Sequence, residues 1–274
     1  MCPLQYQRLE ETGSSVMKIL IVKYKIEPYY TGDKDILLWD NSKHNIGFAR
    51  AVNELLKETG REDVLLLSDD AYPIGDAFSV LQQTAYSDKK IGIVQPKLLL
   101  PDGRIDSTGH QIVTKRHMGH LMVSGRGSHE EDRGQYDKDT ELPSCDFACV
   151  YIKREVIDKV GPLDPYFVQG FDDVEYGLRT RRYGYRIVYE PKARVVHSRG
   201  HVLIDDGSGR VRYRDGLDKF RMRSSPVYYH LLIKNHLWKM LVSAYVWNIL
   251  GILAGVKNRN AQYTAMKIRG IIPV

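Results

Sequence analysis

The run Val64-Leu65-Leu66-Leu67-Ser68-Asp69-Asp70 indicates the fold class, because it joins an apolar strand directly to two carboxylates. Four consecutive aliphatic residues are typical of a strand that is covered on both faces, as in a parallel sheet. Open α/β sheets bind their ligands beyond the carboxyl ends of their strands. The sequence therefore predicts an α/β domain with polar chemistry at the edge where this strand ends.

Short apolar strands and amphipathic helices alternate on both sides of this run. The predicted strands are 18–24, 35–39, 64–67, 91–95, 185–190 and 193–197, and the predicted helices are 47–57, 74–86 and 171–184. Pro101-Asp102-Gly103 predicts a hairpin turn, and the polar stretch 114–144 predicts a long surface excursion. This alternation predicts a single Rossmann-like domain with a mostly parallel sheet and helices on both faces.

The connection between the first two predicted strands is unusually short. About ten residues separate 18–24 from 35–39, whereas a parallel crossover needs a dozen or more. The first βαβ unit is therefore expected to be reduced or rearranged.

Charge and cysteine content restrict the class of protein. The formal net charge of +6 favours an anionic partner: a nucleotide, a polyphosphate, a membrane surface or nucleic acid. The three cysteines (Cys2, Cys145 and Cys149) are too few for the disulfide framework of a small secreted domain. A reducing, cytoplasmic setting is expected.

Acidic and imidazole side chains stand at three places where the chemistry of such a sheet is expected. Asp69 and Asp70 follow a strand, Asp172 and Asp173 open a helix, and His197 ends a strand. Carboxylates can hold a hard divalent cation, whose preferred ligands are oxygens. Each place also has a structural explanation: a turn or cap for the first, the helix dipole for the second, and an ordinary surface histidine for the third.

Seven motifs follow one another in the order found in the family-2 glycosyltransferases, which the sequence resembles over residues 18–200. Individually these motifs are weak, but their order is specific. They are Asp40-Asn41-Ser42 with 45–53 (NIGFARAVN), Leu67-Ser68-Asp69-Asp70, Ile91-Gly92 through Asp102-Gly103, Lys153-Arg154-Glu155-Val156 with Val160-Gly161-Pro162-Leu163-Asp164, Phe171-Asp172-Asp173-Val174-Glu175, 183–187 (YGYRI) and 191–197 (PKARVVH).

The resemblance implies a nucleotide-sugar pocket of the A-type glycosyltransferase fold, similar to that of the rhamnosyltransferases. Asp40 matches the family position that contacts the donor nucleobase. Asn45, Gly47 and Asn53 match the element that shapes the nucleotide pocket, and Asp69 is expected to help bind the donor.

The resemblance also assigns the metal and the base. Asp70 matches the metal-binding acid of the Asp-x-Asp site, and His197 matches a histidine that is a further metal ligand in part of the family. Asp173 matches the general base, and Asp172 stands where the family has glutamate, with equal charge and shorter reach. Ser68 replaces the first acid of the Asp-x-Asp site, so metal binding depends on Asp70, Asp69 and His197.

The function implied is inverting transfer of a sugar from a nucleoside-diphosphate donor to a hydroxyl group of a glycan, a lipid-linked glycan or a protein. Such a transfer needs one base for the acceptor proton and one cation, Mn²⁺ or Mg²⁺, for the departing diphosphate.

Two alternative functions remain open. Ser68 and the shortened first unit are also compatible with a non-catalytic sugar-nucleotide-binding protein. The net charge is compatible with a nucleic-acid-binding protein, although the basic stretch 199–223 lacks the interleaved aromatics of a single-strand platform.

A composition shift near residue 200 predicts further segments after the catalytic domain. The predicted divisions are a disordered leader at 1–16, the catalytic domain at 17–200, a basic arm at 201–225 and an apolar helical segment at 226–274.

The last segment contains an apolar run, 240–256, between Lys239 and Lys257. As a helix it would carry its small and polar residues on one face and its large apolar residues on the other; the small-face residues are Ala244, Asn248, Gly251 and Gly255. This pattern predicts a helix on the inner surface of a membrane, which would make the protein cytoplasmic and peripheral. A true span, or packing on the catalytic domain or on a second subunit in a homodimer, is the alternative.

Overall fold

A computed structural model describes residues 17–24, 26–31, 35–115, 120–167, 170–198, 203–205, 211–213 and 226–257. Strands and helices alternate through most of this part of the chain. The strands are β1 (Met17–Lys23), β2 (Ile36–Asp40), β3 (Asp63–Ser68), β4 (Ala71–Ile74), β5 (Ile91–Leu99), β6 (Ile105–Ser107), β7 (His110–Lys115), β8 (His120–Gly125), β9 (Thr140–Leu142), β10 (Cys149–Ile152), β11 (Arg186–His197), β12 (Leu203–Asp205) and β13 (Val211–Tyr213). The helices are α1 (Phe48–Leu56), α2 (Ala77–Tyr86), α3 (Arg154–Val160), α4 (Asp172–Arg182), α5 (Pro226–Lys234) and α6 (Trp238–Lys257).

A nine-stranded sheet forms the centre of the fold. Seven strands follow the order β2–β1–β3–β10–β5–β11–β4, with β6 added to β5 and β9 added to β11. The five strands β2, β1, β3, β5 and β11 run in one direction, because β10 is antiparallel to both β3 and β5. The predicted mostly parallel α/β domain is confirmed, and the carboxyl ends of these five strands share one edge.

Strand β3 shows why the sheet is covered on both faces. Val64 and Leu66 pack in one apolar cluster with α1 and α3, whereas Leu65 and Leu67 pack in a second cluster with α2. All four side chains are at most 2% exposed. Because successive strand residues point to opposite faces, an uninterrupted aliphatic run requires helices on both sides.

Two predicted elements have different boundaries. The predicted helix 74–86 begins only at Ala77, and Ala71–Ile74 is strand β4, which pairs with β11 with Pro73 opposite Val195. Pairing with a distant strand overrides the local pattern here. The predicted strands 185–190 and 193–197 form the single strand β11, with an irregularity between Glu190 and Arg194.

The prediction of a surface excursion at 114–144 was wrong in part. Strand β8 pairs with β7 in a separate hairpin, and β9 pairs antiparallel with β11 at the main sheet. Leu142 of β9 is buried in the first apolar cluster. The sparse apolar residues of this stretch did not reveal strands whose hydrogen-bond partners lie elsewhere in the chain.

The first unit of the sheet has the reduced form expected from its length. β1 and β2 pair in parallel, from Ile19 opposite Ile36 to Lys23 opposite Asp40. The described residues that connect them (24, 26–31 and 35) contain no helix.

The C-terminal helical appendage is confirmed, as two helices rather than one continuous run. α5 and α6 join Phe171 and Val174, beside and within α4, in a third apolar cluster. The buried residues of α6 are Ala244, Asn248, Gly251 and Gly255, which confirms the predicted small-residue face. The predicted leader at 1–16 lies outside the described residues, as does the basic arm apart from the β12–β13 hairpin. The domain boundaries remain predictions.

Candidate active site

The carboxyl ends of the parallel strands bring the predicted site residues to one edge of the sheet. Asp40 ends β2, Asp69 and Asp70 follow β3, and His197 ends β11. Tyr24, directly after β1, lies at the same edge. The topology therefore gathers side chains that are far apart in the sequence.

His197 lies between two buried carboxylates. Its Nε2 is 3.2 Å from Oδ1 of Asp70, and its Nδ1 is 2.8 Å from Oδ2 of Asp106. Burial lowers the pKa of His197, but its hydrogen bonds to Asp106 and Asp70 and their charges outweigh burial and raise the pKa to about 10. Ser68 donates a hydrogen bond of 2.6 Å from Oγ to the same oxygen of Asp70. The two carboxylates thus strongly favour a positive charge at the ring of His197, between Asp70 and Asp106.

This donor set is compatible with a divalent cation. Histidine ligands of metals usually hold their second ring nitrogen on a carboxylate, and Asp106 holds Nδ1 of His197 in this way. Within the described residues, no group of three or more His, Cys, Asp or Glu side chains is arranged to hold a metal ion. If Asp70 and His197 bind a cation as predicted, they supply two protein donors, and further oxygens would have to come from a bound ligand or water.

Asp69 orders the segment that follows β1. Its Oδ2 accepts a hydrogen bond of 2.8 Å from the amide of Tyr24, and its carbonyl accepts one of 2.9 Å from the amide of Tyr29. Burial raises the pKa of Tyr24 to about 12. The charges of Asp172 and Asp69 add to this rise, and a hydrogen bond from Asn41 opposes it. Tyr24 therefore lies within electrostatic range of Asp69, which follows β3, and of Asp172 at the start of α4.

The predicted nucleobase-binding turn is held by its own side chains. Asp40 accepts hydrogen bonds from the hydroxyl of Ser42 and, at 2.9 Å, from its amide, and these two interactions lower the pKa of Asp40. Asn41 accepts from the amide of Ile46, and Asn45 accepts from the amide of Gly47. Gly47 has φ 88°, a conformation that favours glycine, and it is the N-cap residue directly before α1.

Asn53 differs from the other predicted donor-binding residues in its contacts. Its Nδ2 donates to the carbonyl of Leu163 at 2.8 Å, and its Oδ1 accepts from the amide of Leu163 at 2.9 Å. The described contacts of this amide are thus with the segment before α4. Its predicted contribution to donor binding stays a prediction.

The predicted catalytic pair opens α4. Phe171 precedes the helix with φ 68°, and Asp173 Oδ1 accepts a 2.7 Å hydrogen bond from the amide of Val174. Burial raises the pKa of Asp172, assisted by the charges of Asp173 and Asp146, and burial with the charge of Asp146 raises that of Asp173. Both carboxylates therefore hold protons more tightly than an exposed aspartate does.

Three residues of this site were missed by the sequence reasoning. Nε2 of His110 is 3.5 Å from Oδ2 of Asp173, and Ser144 donates a 3.1 Å hydrogen bond to the carbonyl of Asp173. Asp106, the partner of His197, precedes His110 by four residues. The predicted hairpin at Asp102-Gly103 was the available signal, because it returns the chain after β5 to the edge where that strand ends.

Comparisons with known proteins assign the family. The model of the family described as "Glycosyltransferase like family 2" matches residues 34–203, more than half of the chain. The chain therefore belongs to glycosyltransferase-like family 2. The matched range includes every predicted site residue named above for the donor, the metal and the base.

Two curated relatives and one solved structure are similar to this chain. It is 26% identical over 162 residues to the O-antigen biosynthesis protein RfbC of Myxococcus xanthus, covering 59% of this chain and 12% of that protein. It is 22% identical over 175 residues to the N-acetylglucosaminyl-diphospho-decaprenol L-rhamnosyltransferase of Mycobacterium tuberculosis, covering 57% of each. The crystal structure of GalNAc-T7 with UDP, GalNAc and Mn²⁺ superposes with a TM-score of 0.50 and 11% identity, over 69% of this chain and 44% of that one.

These comparisons support the fold and the family. At 11% identity, the structural match concerns the fold alone. The chain covers less than two thirds of the length of the curated relatives it matches, with shares between 12% and 57%.

Proposed function

We propose that this chain transfers a sugar from a nucleoside-diphosphate donor to an acceptor hydroxyl, with inversion at the anomeric carbon. The carrying observation is the place of Asp173. It is a carboxylate of raised pKa at the start of α4. The charge of its neighbour Asp172 raises the pKa of Tyr24, as does the charge of Asp69 at the strand edge. A general base and a cation-favouring cluster are the two elements that such a transfer needs.

Asp173 is the proposed general base. A base is most effective when its pKa lies near the working pH, and burial moves an aspartate in that direction. The acceptor hydroxyl gives its proton to Asp173 as its oxygen attacks the anomeric carbon, and the bond to the diphosphate breaks with its electron pair. One carboxylate is sufficient, since no covalent intermediate forms.

Asp70 and His197 are the proposed ligands of a divalent cation, Mn²⁺ or Mg²⁺. When bound, such a cation neutralises charge on the departing diphosphate. His197 coordinates only when its Nε2 is unprotonated, and Asp106 fixes the ring by holding Nδ1. Asp40 and the turn that precedes Gly47 are proposed to receive the nucleoside.

A donor panel and one isosteric substitution test this function. We expect one sugar nucleotide with Mn²⁺ to raise the melting temperature, and Asp173→Asn to lower turnover by roughly 10²- to 10⁴-fold while that stabilisation persists. Asp158→Asn is the matched control, because Asp158 is 58% exposed and paired with Arg154 on α3. The amide of Arg154 binds Asp63 at the start of β3, the end of the sheet opposite the site.

The outcomes separate two functions. Near-normal transfer by Asp173→Asn would remove Asp173 from the mechanism. Donor binding by the wild type without transfer to any hydroxyl acceptor, or to water, would identify a non-catalytic sugar-nucleotide-binding protein.

We further propose that the acceptor is lipid-linked and that α6 lies on an anionic membrane surface. The Mycobacterium tuberculosis relative is named for an N-acetylglucosaminyl-diphospho-decaprenol substrate. α6 is long and apolar enough to cross a membrane by length and composition. Its small-residue face is buried, however, and Asn248 on that face bonds the hydroxyl of Tyr229 in α5. A helix attached to the protein along one face is suited to lie in the interface plane.

The opposite face of α6 is apolar and its charges are basic. Val242, Leu253 and Val256 are each at least 60% exposed. The helix contains Lys239 and Lys257 and no acidic residue. At 20 residues the helix is about 30 Å long. An exposed apolar face of this length is unfavourable in water and is typical of an interaction surface. This face and charge suit anionic lipid at the inner side of a cytoplasmic membrane.

Vesicle sedimentation tests the membrane proposal. The wild type should sediment at low salt with vesicles that contain phosphatidylglycerol, and Leu253→Glu should remain in the supernatant. Ile74→Glu on edge strand β4 is the matched control, since Ile74 is also exposed. If the wild type does not sediment with vesicles and is a dimer, and if the Leu253→Glu variant is a monomer, a second copy of the chain covers this face.

A further inference from the structure

The ring of His110 lies between Asp173, the candidate base, and Ser144, which donates a hydrogen bond to the carbonyl of Asp173. His110 is the first residue of β7 and 8% exposed, and its amide donates to the carbonyl of Ser144 at 3.2 Å. Its Nδ1 is 3.1 Å from Oγ of Ser144, and its Nε2 is 3.5 Å from Oδ2 of Asp173. Backbone and ring contacts together fix the orientation of the imidazole.

The hydrogen bonds of Ser144 determine which nitrogen of His110 carries a proton. The Ser144 hydroxyl donates its hydrogen to the carbonyl of Asp173, so its oxygen accepts from Nδ1–H of His110. Nε2 therefore faces the carboxylate with either a lone pair or a second proton. A lone pair directed at an ionised carboxylate is repulsive, whereas a proton between the two groups gives an ion pair.

The surroundings of Asp173 are rich in negative charge. The charge of Asp146, in the segment before β10, raises the pKa of both Asp173 and Asp172, and Asp172 is the neighbouring carboxylate on α4. Cys145, buried beside them, has a raised pKa because of burial and the charges of Asp173 and Asp146. Burial and the charge of Asp146 bring the pKa of Asp173 toward the working pH, but only the ionised carboxylate can accept a proton. A positive charge beside Asp173 would increase the fraction of that carboxylate that is ionised.

We propose that His110 is a positioning residue for the transfer: as an imidazolium fixed by Ser144, it pairs with Asp173 and keeps that carboxylate ionised and oriented. This inference rests on the proposed function for its catalytic meaning. The imidazolium keeps its own proton through the reaction. Asp173 receives the proton of the acceptor hydroxyl while the acceptor oxygen bonds to the anomeric carbon, and it later releases that proton to water.

The pairing is tested by nuclear magnetic resonance, independently of turnover. The titration of the His110 ring is followed through its Cε1–H signal in the wild type and in Asp173→Asn. The chain contains nine histidines, so the signal that is lost in His110→Asn gives the assignment. An ion pair with Asp173 should place the wild-type midpoint about one to three pH units above that in Asp173→Asn. Equal midpoints would overturn the proposal.

The consequence for the base is tested by the pH dependence of kcat/KM. Asparagine at 110 can still donate to Ser144 from its amide nitrogen, but it has no atom in the place of Nε2. We expect His110→Asn to move the acid limb to higher pH by about one unit, so that activity on that limb falls about tenfold with a smaller loss at alkaline pH. His129→Asn is the control, because the His129 side chain is exposed and asparagine tolerates its φ of 68°.

The two measurements distinguish the possible failures. An equal loss at every pH, with an unchanged acid limb, would show that His110 only supports the structure and would overturn the proposal. If the wild type transfers no sugar with any donor, the proposed function fails, and the resonance titration still decides whether His110 and Asp173 form the ion pair.

Discussion

The close contact between α4 and Ser144 gives a sharp test of how the candidate base is positioned. Gly177 lies on α4, one turn beyond Asp173, and is buried. A Cβ at this position would lie 2.9 Å from Cα of Ser144 and 2.8 Å from its Oγ. Because one of these atoms belongs to the backbone, a change of rotamer cannot relieve the clash. In Gly177→Ala either α4 or the Ser144 segment must therefore move.

The expected effect has two parts. Overpacking of this kind costs about 1–3 kcal/mol of folding free energy, and alanine's better helix propensity returns at most about 1 kcal/mol. For a domain of this size, each kcal/mol lowers the melting temperature by roughly 2–4 °C. The same shift disturbs the hydrogen bond from Ser144 to the carbonyl of Asp173, and a base misplaced by about 1 Å can lose about 10²-fold in rate.

Calorimetry and steady-state kinetics on the same preparation measure both parts. Gly125→Ala is the matched control, because a Cβ there lies 3.4 Å from its nearest neighbour, which is ordinary contact. We expect Gly177→Ala to lose stability and kcat while the KM for the donor changes little. A variant with wild-type melting temperature and kcat would refute the argument that this glycine positions the base.

Two further predictions concern the proposed metal ligands and the attachment of the C-terminal helices. Asp70→Ala and His197→Ala should each weaken Mn²⁺-dependent donor stabilisation, more strongly for Asp70 because it carries charge; full wild-type activity after exhaustive chelation would contradict the site. Burial raises the pKa of Asp164, but its hydrogen bond from Lys234 helps lower that pKa to about 2. The ionised carboxylate therefore stabilises the fold when the pH is above the ordinary pKa of an aspartate, and this stabilisation is lost as the pH falls toward 2. Lys234→Met should move that loss of stability to higher pH in acid-unfolding curves, and Lys239→Met, at an exposed position of α6, should not.

The local sequence determined the elements whose burial is uniform. The run Val64–Leu67 could be predicted as a strand covered on both faces because every side chain in it is aliphatic. The small-residue face of α6 followed from helical spacing in the same way, since Ala244 and Gly251 leave room for close packing. The carboxylates that follow β3 and open α4 were visible for a related reason, because charged residues next to apolar runs mark the ends of elements.

Tertiary structure alone decided how these residues are paired. Ala71–Ile74 is a strand because β11 lies beside it, and local propensity carries no information about that neighbour. His197 meets Asp106 across 91 positions of sequence, and His110 meets Ser144 across 34. A hydrogen bond or ion pair of this kind depends on distances of about 3 Å between side chains, and only the packed sheet fixes them. The sequence could therefore name the candidate base and the candidate metal ligands, whereas the groups that hold and charge them became identifiable only in the folded chain.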